Sequence, residues 1–161
     1  MSKPKILFID DEEIVLRSCR RIFANSDYEI DTAQSGEEGL SKAINGDYDI
    51  VVTDLKMPGI GGMEVLSRLR KVRPDTTVII FTGYASVDTA REALKNGAFD
   101  YIPKPFTPEE MREVIKNALE ARAGKERNML DLMAIVSHEL KSPLSALHTT
   151  ASTLYKGYFG Q

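Results

Sequence analysis

"KILFIDDEEIVLRSCRRIF", residues 5–23, changes its period in the middle. The first five residues are mostly apolar and unbroken, which reads as a strand buried on both faces rather than one. After Asp10–Glu13 the apolar residues take helical spacing, and "EEIVLRSCRRIFAN" (12–25) is expected to be a helix. Cys19, the only cysteine, falls on its apolar side, where it serves as a small core residue and has no partner for an internal disulfide.

The same alternation runs on down the chain. Short apolar runs recur at "YEIDTA" (28–33), "DIVVTD" (49–54), "TVIIFT" (77–82) and "FDYI" (99–102). Helical spacing separates them in "GEEGLSKAING" (36–46), "GGMEVLSRLRKV" (61–72) and "SVDTAREALKNG" (86–97). Two of these helices end in Asn-Gly, at Asn45–Gly46 and Asn96–Gly97, where a left-handed glycine would close the last turn. A fifth helix starts at "TPEEM": Thr107 caps, Pro108 fills the first helical position and Glu110 completes a capping box. Repeated β-α units with short connections and right-handed crossovers predict an α/β fold. The expected architecture is a five-stranded parallel sheet in a flavodoxin-like, doubly wound (βα)5 domain of strand order 2-1-3-4-5. The helical pattern continues through Gly124 into a long C-terminal extension, so the expected division is one domain at residues 1–122 and a second segment at 123–161.

Composition narrows the function classes. Hydrophobic residues at 42% and charged residues at 28% allow an ordinary core, and a net charge of −3 supplies no basic patch for releasing counterions from nucleic acid. Nucleic-acid binding is therefore not expected. In "MSKPKILFIDDEE" the acidic residues follow a run of only four apolar ones, too short for a signal-peptide core, and no apolar run reaches membrane-spanning length. A cytoplasmic chain without a membrane span is the expectation.

In an open parallel sheet, ligands bind beyond the carboxyl ends of the strands. Here those ends are acidic: Asp10 and Asp11 follow the first strand and Asp54 the third. Each has a simple alternative, since Asp11 would cap the next helix and Asp54 would open a turn. Together they demand a counter-charge, because like charges 4 Å apart repel by roughly 4 kcal/mol at intermediate dielectric. A hard divalent cation such as Mg2+, or Mn2+, suits such an oxygen-rich site. Thr82 ends the fourth strand beside Gly83, and Lys104 follows the fifth between Pro103 and Pro105, which restrict its backbone. Carboxylates, a hydroxyl and an ammonium fit a carboxylate nucleophile attacking phosphorus.

At these residues the chain resembles the receiver domain of bacterial response regulators, over roughly residues 3–122. "ILFIDDEE", "DIVVTDLKMPGIGGMEVL", "VIIFTGYAS" and "GAFDYIPKPF" carry the likeness, in family order. The resemblance implies that Asp54 is the phosphoacceptor, that Asp11 and Asp54 ligate the metal with the Lys56 backbone carbonyl, and that Asp10 acts largely through water. It also implies that Thr82 and Lys104 bind the phosphoryl group, that Tyr101 turns inward when Thr82 moves, and that the Lys104–Pro105 bond is cis. Lys56 and Tyr84 lie near the rim of the site, where they would slow the water that hydrolyses an aspartyl phosphate.

The tail holds a second motif. His138-Glu139 lacks the later histidine of a zinc protease, because position 142 is Ser. Instead "MAIVSHELKSPLSAL" (133–147) resembles the phosphoacceptor helix of sensor histidine kinases, with Pro143 bending the helix after the histidine. The resemblance implies phosphorylation of His138, general-base help from Glu139 and a role for Ser142 in orienting water. Leu130, Ser137, Leu144 and Ala151 share one heptad position, and Met133, Leu140, Leu147 and Leu154 the other. That seam predicts packing against other helices, hence a homodimer through the C-terminal helix. The alternative is a single amphipathic helix folded back on the first domain. No ATP-binding motif follows, so a fragment of a larger hybrid receiver–histidine kinase is the expected parent.

The leading functional expectation is a two-component phosphorelay switch, with a cognate histidine kinase or phosphotransfer protein as partner. A different class remains open: a stand-alone binding module that dimerises through its tail, with His138 inert. An aspartate-nucleophile phosphatase of the haloacid dehalogenase type needs two aspartates one residue apart, whereas "DDEE" has them adjacent.

Overall fold

The computed structural model describes residues 2–139 in backbone and side chains as far as residue 125. Ten elements alternate without exception: β1 (Lys5–Ile9), α1 (Glu13–Ile22), β2 (Glu29–Ala33), α2 (Gly36–Asn45), β3 (Ile50–Asp54), α3 (Gly62–Val72), β4 (Thr77–Thr82), α4 (Val87–Lys95), β5 (Asp100–Pro103) and α5 (Pro108–Glu139). All strand pairs are parallel, and the order is β2-β1-β3-β4-β5, as expected. The residues divide into two units with the break between Leu119 and Glu120.

Alternation along the central strands splits the core into two layers. Leu7, Ile9, Val51, Val78 and Ile80 face α2 and α3, packing with Leu40, Ala43, Val65, Leu66 and Leu69. Ile6, Phe8, Ile50, Val52, Ile79 and Phe81 face the other way, against Leu16 and Cys19 of α1, Phe23 just after it, and Met111, Ile115 and Ala118 of α5. A fully buried residue of this size contributes roughly 1.5–3 kcal/mol. This explains the unbroken apolar runs: both faces are covered, so β3 is buried at every position. By contrast, the edge strand β2 is half-exposed, and its weaker sequence signal has the same origin.

The two Asn-Gly endings differ. Gly97 takes the left-handed conformation at φ +100°, as expected. Gly46 does not: it is extended, at φ −111° and ψ 167°. Its glycine requirement is one of space, because a Cβ there would lie 2.7 Å from the Tyr48 ring and 3.0 Å from the Lys42 carbonyl oxygen. At α5 the Thr107 hydroxyl accepts from the Glu110 amide at 3.1 Å, which is the expected cap. Among the described residues, no helix is long and apolar enough to cross a membrane.

Candidate functional site: an acidic crevice at the strand ends

Sheet register decides which residues meet. Ile9 pairs with Thr53 and Asp54 with Phe81, while Thr82 pairs with Pro103. One step beyond each pair, the chain delivers Asp10, Asp54, Thr82 and Lys104 to the same edge, at the point where strand order reverses between β1 and β3. Asp54 and Lys104 line a cavity of about 590 Å3 there, together with residues of three loops that include Asp11, Glu12, Lys56, Met57 and Tyr84, while Asp10 and Thr82 lie buried behind it.

Burial differs sharply among the acids. Asp10 is wholly buried and Asp54 nearly so, whereas Asp11 is exposed. One oxygen from each lies within 4.8 Å of the others, the only such cluster among the described residues. The Lys104 ammonium donates to Asp10 at 2.6 Å and lies 3.5 Å from Asp54. Burial is the main cause that pushes the Asp54 carboxyl up from 3.8 to about 6, with the Asp10 charge adding to it; Lys104 and the Leu55 amide, which donates at 2.9 Å, pull the other way. At Lys104 burial disfavours the ammonium, but its contacts with Asp10 and Asp54 outweigh this and raise its pKa.

Three carboxylates against one ammonium leave two negative charges uncompensated, and all the facing donors are oxygens. That donor set fits Mg2+, which takes one or two carboxylates and keeps several waters. The simple alternatives fare unequally. Asp11 does not cap α1, since Glu12 is the N-cap and no side chain bonds it; Asp10 instead accepts the Glu12 amide at 2.9 Å. Asp54 does accept from the amide that follows it, and retains a second oxygen toward Lys104.

Around the rim, Thr82 is buried and its hydroxyl accepts from the Tyr84 amide at 3.0 Å. The Lys56 ammonium sits over the Tyr84 ring, 4.4 Å from its centre, so the two rim residues touch each other across the crevice. Tyr101 is half-buried with its hydroxyl 2.6 Å from Thr89 on α4, a partner the sequence did not suggest. The only local signal was Ser86-x-x-Thr89, where Ser86 caps α4 by accepting from the Thr89 amide. Lys104–Pro105 is cis, as the resemblance implied. His138 and Glu139 fall at the end of α5, but their side chains lie outside the described residues, as do Ser142, Pro143 and the later heptad positions entirely.

A parallel sheet with a buried carboxylate pair, a bridging lysine and a hydroxyl at its switch point defines a class of phosphoryl-accepting α/β domain. The response regulator receiver domain matches residues 6–116, and the chain belongs to that family. A CheY-like receiver from Methanospirillum hungatei JF-1 is 35% identical, with a TM-score of 0.74, over 77% of this chain and 99% of that one. Another from Clostridium thermocellum is 38% identical, with a TM-score of 0.69, over 74% and 97%. Among curated proteins, the regulatory protein AtoC of Escherichia coli K12 is 37% identical over 122 residues, 76% of this chain but 26% of AtoC. The uncharacterized transcriptional regulatory protein YkoG of Bacillus subtilis is 36% identical over 129 residues, 80% of this chain and 57% of YkoG. The chain thus spans about a quarter to three-fifths of the length of these relatives. As a two-component receiver it belongs with domains that accept phosphate on an aspartate, bind Mg2+ at the acidic pocket and engage histidine kinases or phosphotransfer proteins.

Proposed function

We propose that Asp54 is the phosphoacceptor and that the crevice around it is a Mg2+-dependent switch. The single observation that carries this reading is the Lys104 ammonium between Asp10 and Asp54, 2.6 and 3.5 Å away, at the mouth of a cavity open to solvent. An Asp54 oxygen attacks the phosphorus of a phosphohistidine, the nitrogen–phosphorus bond breaks, and its electron pair returns to the imidazole, which takes up a proton. Lys104 stabilises charge on the phosphoryl oxygens, and the Thr82 hydroxyl, which accepts from the Tyr84 amide, turns to donate its proton to one of them. Asp11, Asp54 and the Lys56 carbonyl would hold the metal, with Asp10 acting through water; when bound, the ion neutralises charge on the transferring group. Movement of Thr82 frees Tyr101 to leave Thr89 and turn inward, altering the face formed by α4, β5 and α5.

A partner has a ready approach. A groove of about 790 Å3 starts at Lys104 and runs between α1 and the start of α5, with Val15, Ile22 and Phe106 as apolar walls and Arg21 and Arg112 at its polar side. A helix carrying a phosphohistidine, from a cognate kinase or phosphotransfer protein, fits such a surface.

For the remainder, we take residues 1–122 as the receiver and 123–161 as the linker and first helix of a histidine kinase dimerisation segment. His138 is then a second phosphoacceptor, Glu139 its general base, and the parent a hybrid kinase that dimerises there. The motif at 133–147 and the helical course of α5 to Glu139 support it. In the competing reading the module signals through its tail with His138 inert.

Radiolabelled phosphate transferred from an intact kinase tests both parts. Asp54→Asn is expected to abolish hydroxylamine-sensitive label, and His138→Gln to remove any label stable to base. Label that persists unchanged in Asp54→Asn would overturn the acceptor assignment. An absence of base-stable label in the unaltered chain would overturn the assignment of His138. Separately, if beryllofluoride with Mg2+ changes neither oligomeric state nor trans-phosphorylation of His138, the receiver does not control the tail.

A further inference from the structure

The β3–α3 loop, residues 55–61, supplies one wall of the crevice through Lys56, Met57, Pro58 and Gly59. Its ends are closed by the Gly62 amide, which donates to the Leu55 carbonyl at 2.9 Å. Its outer turn is held from elsewhere in the fold. The Ile60 amide donates at 2.9 Å to the carboxylate of Glu37, the second residue of α2.

Two glycines show how closely the elements are applied. A Cβ at Gly36 would collide with the Ile60 carbonyl, and one at Gly59, whose φ is +79°, would collide with the Glu37 carboxylate. Helix α2 also favours an anion at this position, because its first amides present partial positive charge. The Ile60 amide, the residue's own amide and the Ser35 hydroxyl hold the Glu37 carboxyl below its usual range, while partial desolvation works the other way. Glu37 itself does not line the crevice.

We propose that Glu37 is a positioning residue for the acceptor site: by anchoring Ile60 it holds the 55–61 wall in its metal-binding form before any ligand arrives. This rests on the reading of the crevice as a Mg2+ site. A loop free to sample other conformations binds in proportion to its competent fraction, so loss of the anchor lowers apparent metal affinity without removing a ligand. It changes the rate at saturating metal little, because Asp54, Thr82 and Lys104 are untouched.

The test compares the full chain with Glu37→Ala and with Glu37→Gln, which keeps an acceptor oxygen. Amide exchange at Ile60 is measured by NMR without metal, Mg2+ is titrated by amide shifts, and urea midpoints report global stability. In Glu37→Ala, Ile60 exchange is expected to quicken about tenfold and the Mg2+ midpoint to weaken about fivefold, with Glu37→Gln recovering most of both. Values for Glu37→Ala within about twofold of wild type would overturn the proposal, as would metal weakening that merely tracks the urea midpoint. A wild-type chain that binds no Mg2+ would overturn the metal-site reading and this proposal together. A wild-type chain that binds it while Glu37→Ala is unaffected would remove the anchor alone.

Discussion

On one side of Asp54 the chain passes through residues 55–61 with its glycines pressed against other groups. Cβ atoms at Gly61 and Gly62 would crowd the Leu55 and Asp54 carbonyls, and Ile60 is tied to Glu37. On the other side, residues 83–86 leave β4 exposed; a Cβ at Gly83 would meet nothing within 4 Å, and Tyr84 is 65% exposed. The first wall is fixed by backbone, which suits coordination of an ion with strict geometric demands. Its counterpart is tied mainly through the Thr82 hydroxyl and the Lys56–Tyr84 stack, which leaves it the freer of the two to rearrange in the proposed switch. The proposed switch uses both kinds of wall: one to define the site and one to report on it.

Breaking the fixed wall has the largest effect. Gly62→Ala drives a methyl group into the Asp54 carbonyl, where no flexible side chain can yield, and is expected to cost about 3 kcal/mol by urea denaturation. A loss below about 1 kcal/mol would mean that this wall gives way as easily as its neighbour.

The floor between the walls is next in size. With Asp54 pushed up to about 6 by burial and by Asp10, the native protein binds its proton more tightly than the unfolded chain, whose value is near 3.8. Stability therefore falls as pH rises through that window and stays lower above it. In chelator, Asp54→Asn is expected to be more stable than wild type by about 2 kcal/mol above pH 7, and the advantage should vanish near pH 4. An equal advantage at both ends of the range would assign the effect to packing instead.

Across the mouth, Lys56→Ala with Tyr84→Ala removes the stack joining the two walls. Hydrolysis of the aspartyl phosphate should quicken about threefold as water gains access, since an exposed cation–π contact is worth ~0.5–1 kcal/mol. An unchanged acyl-phosphate lifetime would leave the pair as solvated rim residues. The smallest change belongs to the open wall: Gly83→Ala is expected to shift the urea midpoint by no more than about 0.5 kcal/mol.

Much of this could be read from the chain in one dimension. The apolar runs at 6–9, 50–52 and 78–81 gave the parallel sheet because covering both faces of a strand leaves no polar alternation. Asp10, Asp54, Thr82 and Lys104 were legible because each ends or directly follows a strand, and chain order then fixes which edge they reach. Gly46 was misread, since its dipeptide pattern signals a left-handed turn while the nearness of the Tyr48 ring and the Lys42 carbonyl sets the real constraint. The contacts of Thr89 with Tyr101 and of Glu37 with Ile60 were missed, because as helix-terminal residues both look like local caps.

By itself, then, the sequence determined the alternation of elements, the strand order and the residues delivered to the strand ends, all consequences of periodicity and short connections. Only the tertiary structure decided that Asp10 lies wholly buried against Lys104 while Asp11 stays exposed, that Lys56 stacks on Tyr84, and that Glu37 holds Ile60. These pairs are separated along the chain by intervals that no local pattern records, and they exist because the twist and register of the sheet bring separate loops to one edge.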